Sequence, residues 1–441
     1  MSKEGLKSIF LTALVILSLF LTWNIWTYSP NFDEINQPQY MEDVTISNKQ
    51  EIASIVQPVQ ILYHFDGKHY GSSSESVLGD VMNLVTSWSF SNFEDLSLEY
   101  SSQELQNIIK KNGSNEILFA DEVPLLLYKK VINIEDRELP DVEFDRILIR
   151  AISDNSTFSP VYFINTSAES VYRMNTETSN VKELAEAIGA VYETFQPFSL
   201  IEVTEGKSFY LPSTELKING YKYYTELLDE REFRDALFED PKLVRQTPTS
   251  RGKEYTDGLR EMTVNTDIMM LNYIVPSKKE SVKVPSSDLL NRSIQFVNEH
   301  AGWEENYRFA EMDTDKQEVI FRLYTDGLPV FNSAGMSEII QVWTQEEIYS
   351  YDRPFFTMNF PVPPGTKEVT VPSGEKAVEQ LLSLKDFQVN LLEGLAIGYG
   401  MTRDSTDSRL ITLEPAWHYK YNGVWRALMP TAVEGVTDGL E

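Results

Sequence analysis

The sequence predicts an α+β protein: an N-terminal transmembrane helix, then an elongated extracytoplasmic body of about three α+β domains built of helices and antiparallel sheets. Three observations predict it. The run from Leu6 to Tyr28, LKSIFLTALVILSLFLTWNIWTY, carries no charge but Lys7 and is long enough for the ~20 apolar residues a helix needs to cross a bilayer. Beyond it, short runs of period two alternate with helical apolar faces, the pattern of mixed helices and hairpins. The 22 Tyr and 23 Phe of the 441 residues favour pleated sheet.

The span has a direction. Lys3 and Lys7 precede its apolar core and Asp33, Glu34, Glu42 and Asp43 follow it, which places residue 1 in the cytoplasm and the body outside. Trp23, Trp26 and Tyr28 fall where an aromatic belt meets the outer interface. A cleaved signal peptide is the competing reading, but its apolar region is usually about 7–15 residues and ends at a small-x-small site. Here the run is longer and ends in Trp-Asn-Ile-Trp-Thr-Tyr. Within it, Ser8, Thr12, Val15, Leu19, Thr22 and Trp26 recur at alternating intervals of four and three. That is the seam of a coiled coil, and its small and hydroxyl members suit a neighbouring transmembrane helix. The plainer account is hydroxyls bonding their own backbone.

Composition narrows the function. A net charge of −29 and a pI near 4.6 repel phosphate backbones and anionic membrane faces alike, which sets nucleic-acid binding aside. With no cysteine there is neither a disulfide framework nor a thiolate zinc site. The body must rest on its cores, and the 42% hydrophobic content is that of a chain that buries them.

In chain order, 1–5 is an inner tail, 6–28 the span, and 29–50 a polar, acidic linker. The first domain, 51–165, opens with the strand Val59–Phe65, turns at Asp66-Gly67 and returns through Lys68-His69-Tyr70. Helices over Val77–Trp88 and Ser101–Lys111 follow, then strands at Ile117–Tyr128, Phe144–Ile152 and Pro160–Ile164. The central domain, 166–276, carries the helix Val181–Phe195, a hairpin across Asn219-Gly220, a short helix Asp229–Phe238 and strands from Glu254 to Val275. A proline-flanked linker, 277–287, leads to the C-terminal domain, 288–428. It has helices Asp288–His300 and Glu375–Leu384, a turn at Asp326-Gly327, a loop Pro361–Gly374, strands at Ile397–Met401 and Leu410–Tyr421, and a hairpin at Asn422-Gly423. The tail 429–441 is acidic and flexible.

No catalytic or cofactor motif emerges. The chain has no phosphate-cradling glycine loop, no G-x-S-x-G and no H-E-x-x-H, so the expectation is no enzyme, no cofactor and no metal. A two-residue turn at Asp66-Gly67 sets His64 opposite His69, a pair that suits proton sensing or a metal but lacks a third ligand. His300 ends a helix, where it complements the dipole, and His418 lies in an aromatic strand. Glu304-Glu305 and Glu346-Glu347 read as solvated edges, and Asp313-Thr-Asp315 lacks the glycine and distal glutamate of a calcium loop. Two glycines in Ile397-Gly-Tyr-Gly400 mark a bulge or a close backbone approach.

The N-terminal run with Leu21-Thr-Trp-Asn-Ile-Trp26, the segment Thr325-Asp-Gly-Leu-Pro329 before Phe331-Asn332, and Leu413-Glu-Pro-Ala-Trp417 with Tyr421-Asn-Gly-Val-Trp425 resemble the YycH (WalH) proteins of low-GC Gram-positive bacteria. The resemblance covers the whole architecture. It implies a non-enzymatic accessory protein in the cell membrane, partnered by a YycI-type protein and a WalK (YycG) sensor histidine kinase that governs cell-wall metabolism. It also implies that transmembrane helices contact and restrain the kinase, and so makes the seam the partner surface. The alternatives are a tethered cell-wall binding module and a protein-binding module.

Overall fold

A computed structural model describes residues 49–428 apart from 101, 110, 151–155, 205–206, 277–282 and 405. The expected span, its seam residues Ser8, Thr12, Val15, Leu19, Thr22 and Trp26, and the tail 429–441 lie outside the described residues. The described chain is α+β and rich in sheet, and it clusters as one compact unit. Among the described residues, no helix is long and apolar enough to cross a membrane.

Two sheets carry it. The first holds β1 (Gln60–Phe65), β2 (Lys68–Ser72), β3 (Ser89–Asp95), β4 (Ser114–Pro124), β5 (Asn133–Ile134), β6 (Glu143–Arg150), β7 (Phe158–Asn165), β8 (Ser170–Glu177), β9 (Gln196–Thr204) and β10 (Lys207–Pro212). Their spatial order is β10-β9-β2-β1-β4-β6-β7-β8-β3-β5. The second begins with β11 (Leu216–Leu227), β12 (Arg245–Thr249), β13 (Gly252–Thr256), β14 (Glu261–Asn265), β15 (Met270–Ile274), β16 (Tyr307–Asp313) and β17 (Glu318–Thr325). It continues through β18 (Leu328–Phe331), β19 (Glu338–Trp343), β20 (Ile348–Pro354), β21 (Phe356–Val371), β22 (Leu392–Arg403), β23 (Leu410–Tyr421) and β24 (Val424–Ala427). Here the order is β12-β13-β14-β15-β20-β19-β17-β18-β22-β23-β11-β21, with β16 on β17 and β24 on β23. The expected boundary at 165/166 falls between β7 and β8, and much of the 277–287 linker lies outside the described residues.

The period-two alternation explains why the first sheet is covered on both faces. Ile147, Ile149, Val161 and Phe163 point into the main core, beneath the helices Glu75–Ser87 and Thr178–Val191. Leu148, Tyr162 and Ile164, one residue out of phase, meet Leu105 and Ile109 of the helix Ser102–Ile109 on the other face. A one-residue slip would exchange the two sets. The helix Ser286–Glu299 buries Leu289, Leu290, Ile294 and Val297 in the same main core, which runs on to Leu413 in the second sheet.

Three local expectations fail for identifiable reasons. Asn219-Gly220 does not turn: β11 runs straight through it, pairing Asn219 with Glu368 and Gly220 with Lys367. A Cβ at Gly220 would stand 3.2 Å from the Leu413 carbonyl oxygen, so the glycine serves a close strand approach. Pro361–Val371 is strand within β21, not loop, and β21 is an outer strand of its sheet, where proline is tolerated. The strand expected over Ile117–Tyr128 stops at Pro124, and Leu125–Tyr128 is a helical turn that buries Leu125, Leu127 and Tyr128 in the core.

Candidate functional site

A cleft of about 1010 Å³ opens where strands of the first sheet face strands of the second, at the upper end of the volumes of ligand pockets. One wall comes from Gly71–Ser74, the β4 bulge Phe119–Asp121 and Phe209–Pro212 of β10. The facing wall comes from β11, β17, β18, β22, β23 and β24. Aromatic strand residues build its shelves. The Arg322 guanidinium lies over the rings of Phe331, at 4.7 Å, and Trp425, at 5.9 Å. It also stands 2.5 Å from Glu338 Oε1. Phe331 in turn stacks on His418 at 4.3 Å. Burial holds the His418 imidazole down at about 4, so it is neutral at physiological pH.

Asp121, Glu311, Glu393 and Lys420 also line the cleft. Lys420 Nζ donates to Glu311 Oε1 at 2.6 Å and stands 3.8 Å from Glu393 Oε2. Asp121 accepts the Met312 backbone N–H at 2.7 Å, tying the first sheet to β16. Burial pushes the Asp121 carboxyl up to about 6, against the Met312 and Glu122 N–H groups, with Glu311 adding repulsion and Lys420 opposing it.

A second constellation lies on the first sheet. The register pairs His64 with His69, as the turn arithmetic expects. Their Nδ1 atoms are 2.6 Å apart, so one ring donates and the other accepts. His64 Nε2 lies 2.6 Å from Glu116 Oε1, and Arg146 Nη1 donates to Glu116 Oε2 at 2.6 Å. Burial alone would raise the Glu116 carboxyl, but Arg146 and His64 outweigh it and hold it below the usual range. The Tyr210 ring packs against both imidazoles. Among the described residues, no group of three or more His, Asp or Glu is arranged to hold a metal ion.

The remaining candidates divide. His300 caps its helix, its Nδ1 2.9 Å from the Phe296 carbonyl oxygen. Glu346 and Glu347 are exposed, and Asp313 closes an ordinary turn by accepting from the N–H groups of Asp315 and Lys316. Gly398 is the close approach expected of it, since a Cβ there would meet the Pro329 oxygen at 2.4 Å. Glu304-Glu305 is not a solvated edge. Glu305 is largely buried, accepts the Met358 N–H at 2.6 Å, and is pushed up by that burial to about 7.

The fold and its surfaces can be set beside known proteins. The YycH protein N-terminal domain matches residues 4–193, and the YycH protein C-terminal domain matches 206–435. The chain belongs to the YycH family. A relative within that family, the "Two-component system WalR/WalK regulatory protein YycH" of Bacillus subtilis (strain 168), is 26% identical over 440 residues, 96% of each chain. The crystal structure of YycH from Bacillus subtilis shares the fold, with a TM-score of 0.75 and 20% identity over 87% of this chain and 98% of that one.

Sequence reasoning missed the cleft. Its walls join Asp121, Arg322 and Trp425, far apart in the chain, and no spacing rule connects them. The available signals were fragmentary: the glycines of β22, and the aromatic-rich strands around Trp417 and Trp425.

Proposed function

We propose that this chain is a non-enzymatic regulator of a WalR/WalK-type two-component system, anchored in the cell membrane by residues 6–28 with its body outside. The observation that carries the reading is end-to-end similarity to the Bacillus subtilis regulatory protein, 96% of each chain. In this reading the seam of Ser8, Thr12, Val15, Leu19, Thr22 and Trp26 packs against helices of a WalK/YycG-type kinase, together with a YycI-type partner, and restrains the kinase. Packing that favours one kinase conformation shifts its equilibrium by the difference in contact energy between states. Interhelical contacts worth about 1–2 kcal/mol change the populations roughly five- to thirtyfold.

Photo-crosslinking in native membranes tests it, with a reactive residue at Thr12 or Leu19 on the seam and at Ala13 off it. Capture of a histidine-kinase helix from the seam positions alone is the expected result. Capture of no protein from either face, with the body retained on cell-wall material, would overturn it in favour of a tethered wall-binding module. In cells, Thr12→Leu with Thr22→Leu is expected to relieve the restraint at normal protein abundance, read as expression of the regulated genes.

A further inference from the structure

The cleft carries a feature that a passive seam between two sheets does not require. β18 pairs with β22 only at Val330–Tyr399 and Phe331–Gly400. The segment Glu393–Ile397 therefore has β23 along one edge and no described strand along the other. The same five residues line the cleft, and an unpaired strand edge is a template for another strand. At the start of that segment the register passes from Leu392–Tyr421 to Gly394–Lys420, leaving Glu393 as the extra residue of a bulge. Glu393 Oε1 accepts the Gly423 N–H at 2.9 Å, which fixes the carboxylate at the bulge. Tyr399, fully buried two residues beyond that segment and paired with Val330, packs its ring against Tyr221, whose hydroxyl donates to Asp326.

The charge around the edge has one sign in excess. Asp121, Glu311 and Glu393 lie near Lys420, while the other described cations of the lining are matched elsewhere, Arg322 by Glu338 and Lys217 by Glu368. Asp121 is held by backbone N–H groups and is largely desolvated, so an incoming ammonium or guanidinium would meet a carboxylate whose dehydration cost is already met by the fold. Trp425 and Phe331, which carry the Arg322 guanidinium, bound the cleft beside these carboxylates.

We propose that this cleft binds an extended segment of a basic polypeptide, which adds as a strand alongside Glu393–Ile397 and places a Lys or Arg side chain among Glu393, Glu311 and Asp121. Main-chain bonds to the open edge supply affinity and the carboxylates supply selection for positive charge, the division of labour usual in strand addition. The inference rests on the fold of the described residues and stands or falls independently of the transmembrane reading.

The test uses the full-length chain in a neutral detergent and a fluorescent, end-blocked octapeptide alternating Lys and Val. Three comparisons accompany it: the Glu–Val analogue, Lys–Val peptides N-methylated at alternate residues in each register, and spermine as competitor. The expected result is saturable binding of the Lys–Val peptide with slowed hydrogen exchange at the amides of 393–397. The Glu–Val peptide and one of the N-methylated registers should each bind at least about tenfold more weakly, and spermine should compete poorly. Glu393→Lys, at a bulge position with a half-exposed side chain, should weaken binding about tenfold without lowering Tm. Absence of saturable binding, full affinity in both N-methylated registers, or protection confined to other strands would overturn the proposal.

Discussion

Glu116 shows how one residue fixes a polar site inside a sheet. Its carboxylate is wholly buried and answers both Arg146 and the His64–His69 pair. Glu116→Leu takes the buried acceptor from His64 Nε2 and from Arg146 Nη1, leaving Arg146 only Asp145, and should cost about 3–5 kcal/mol, the usual cost of breaking a buried pair from one side; chemical denaturation would read it. The folded carboxyl titrates below its ordinary 4.5, so its stabilisation is full above the unfolded value and is lost as pH falls through the folded one. The wild type should therefore lose stability below about pH 4.5 more steeply than Glu116→Gln. Glu305 has the opposite sign. Burial raises it from 4.5 to about 7, so the folded state holds its proton longer and stability falls as pH rises across that window. Glu305→Gln keeps an acceptor for the Met358 N–H. Its Tm relative to wild type should therefore climb between pH 4.5 and 7 and level off above. A flat difference across that range would show that Glu305 titrates normally.

At the scale of elements, β18 against β22 is the contact that shapes the cleft, and it depends on one glycine. A Cβ on Gly398 would approach the Pro329 oxygen to 2.4 Å and the Phe331 ring to 2.6 Å. Backbone cannot retreat as a flexible side chain can, so Gly398→Ala should cost about 1–3 kcal/mol. It should also expose the Val330 and Phe331 amides to hydrogen exchange before those of β23. The same strands show what a sequence discloses. Local geometry was legible: the Asp66-Gly67 turn set the His64–His69 register, Leu410–Tyr421 was located to the residue, and the glycine pair of β22 marked a bulge or a close approach, the latter realised at Gly398. Asn219-Gly220 misled because the same dipeptide serves a tight turn or a crowded strand crossing, and only the neighbouring Leu413 carbonyl decides between them. Pro361 misled because proline forbids an interior strand but not an outer one, and sheet order is not written locally. The cleft was illegible for the same reason, since Asp121 meets Met312 across nearly two hundred residues of chain.

For the whole molecule, the consequence lies in how the two sheets share a core. One continuous set of buried residues runs from Ile55 through Phe163 in the first sheet to Tyr351 and Leu413 in the second. Polar ties reinforce it. Arg308 of β16 donates to Glu75 at the start of the helix Glu75–Ser87, Lys207 of β10 to the Leu392 carbonyl, and Lys130 Nζ to Asn291 Oδ1 at 2.8 Å. A shared core makes the sheets lose stability together, because neither can open without exposing apolar surface on the other. Phe163→Ala, deep in the first sheet, leaves a cavity between Phe90 and Phe144 and should cost about 3–5 kcal/mol. The decisive measurement follows that loss from both sides of the molecule. Trp88 reports the first sheet and Trp343 and Trp417 the second, so single-tryptophan variants can follow each transition in denaturant. Coincident midpoints that shift together in the Phe163→Ala background would show one cooperative unit. A shift confined to Trp88 would show that the second sheet keeps its own stability and that the shared core is contact without cooperation.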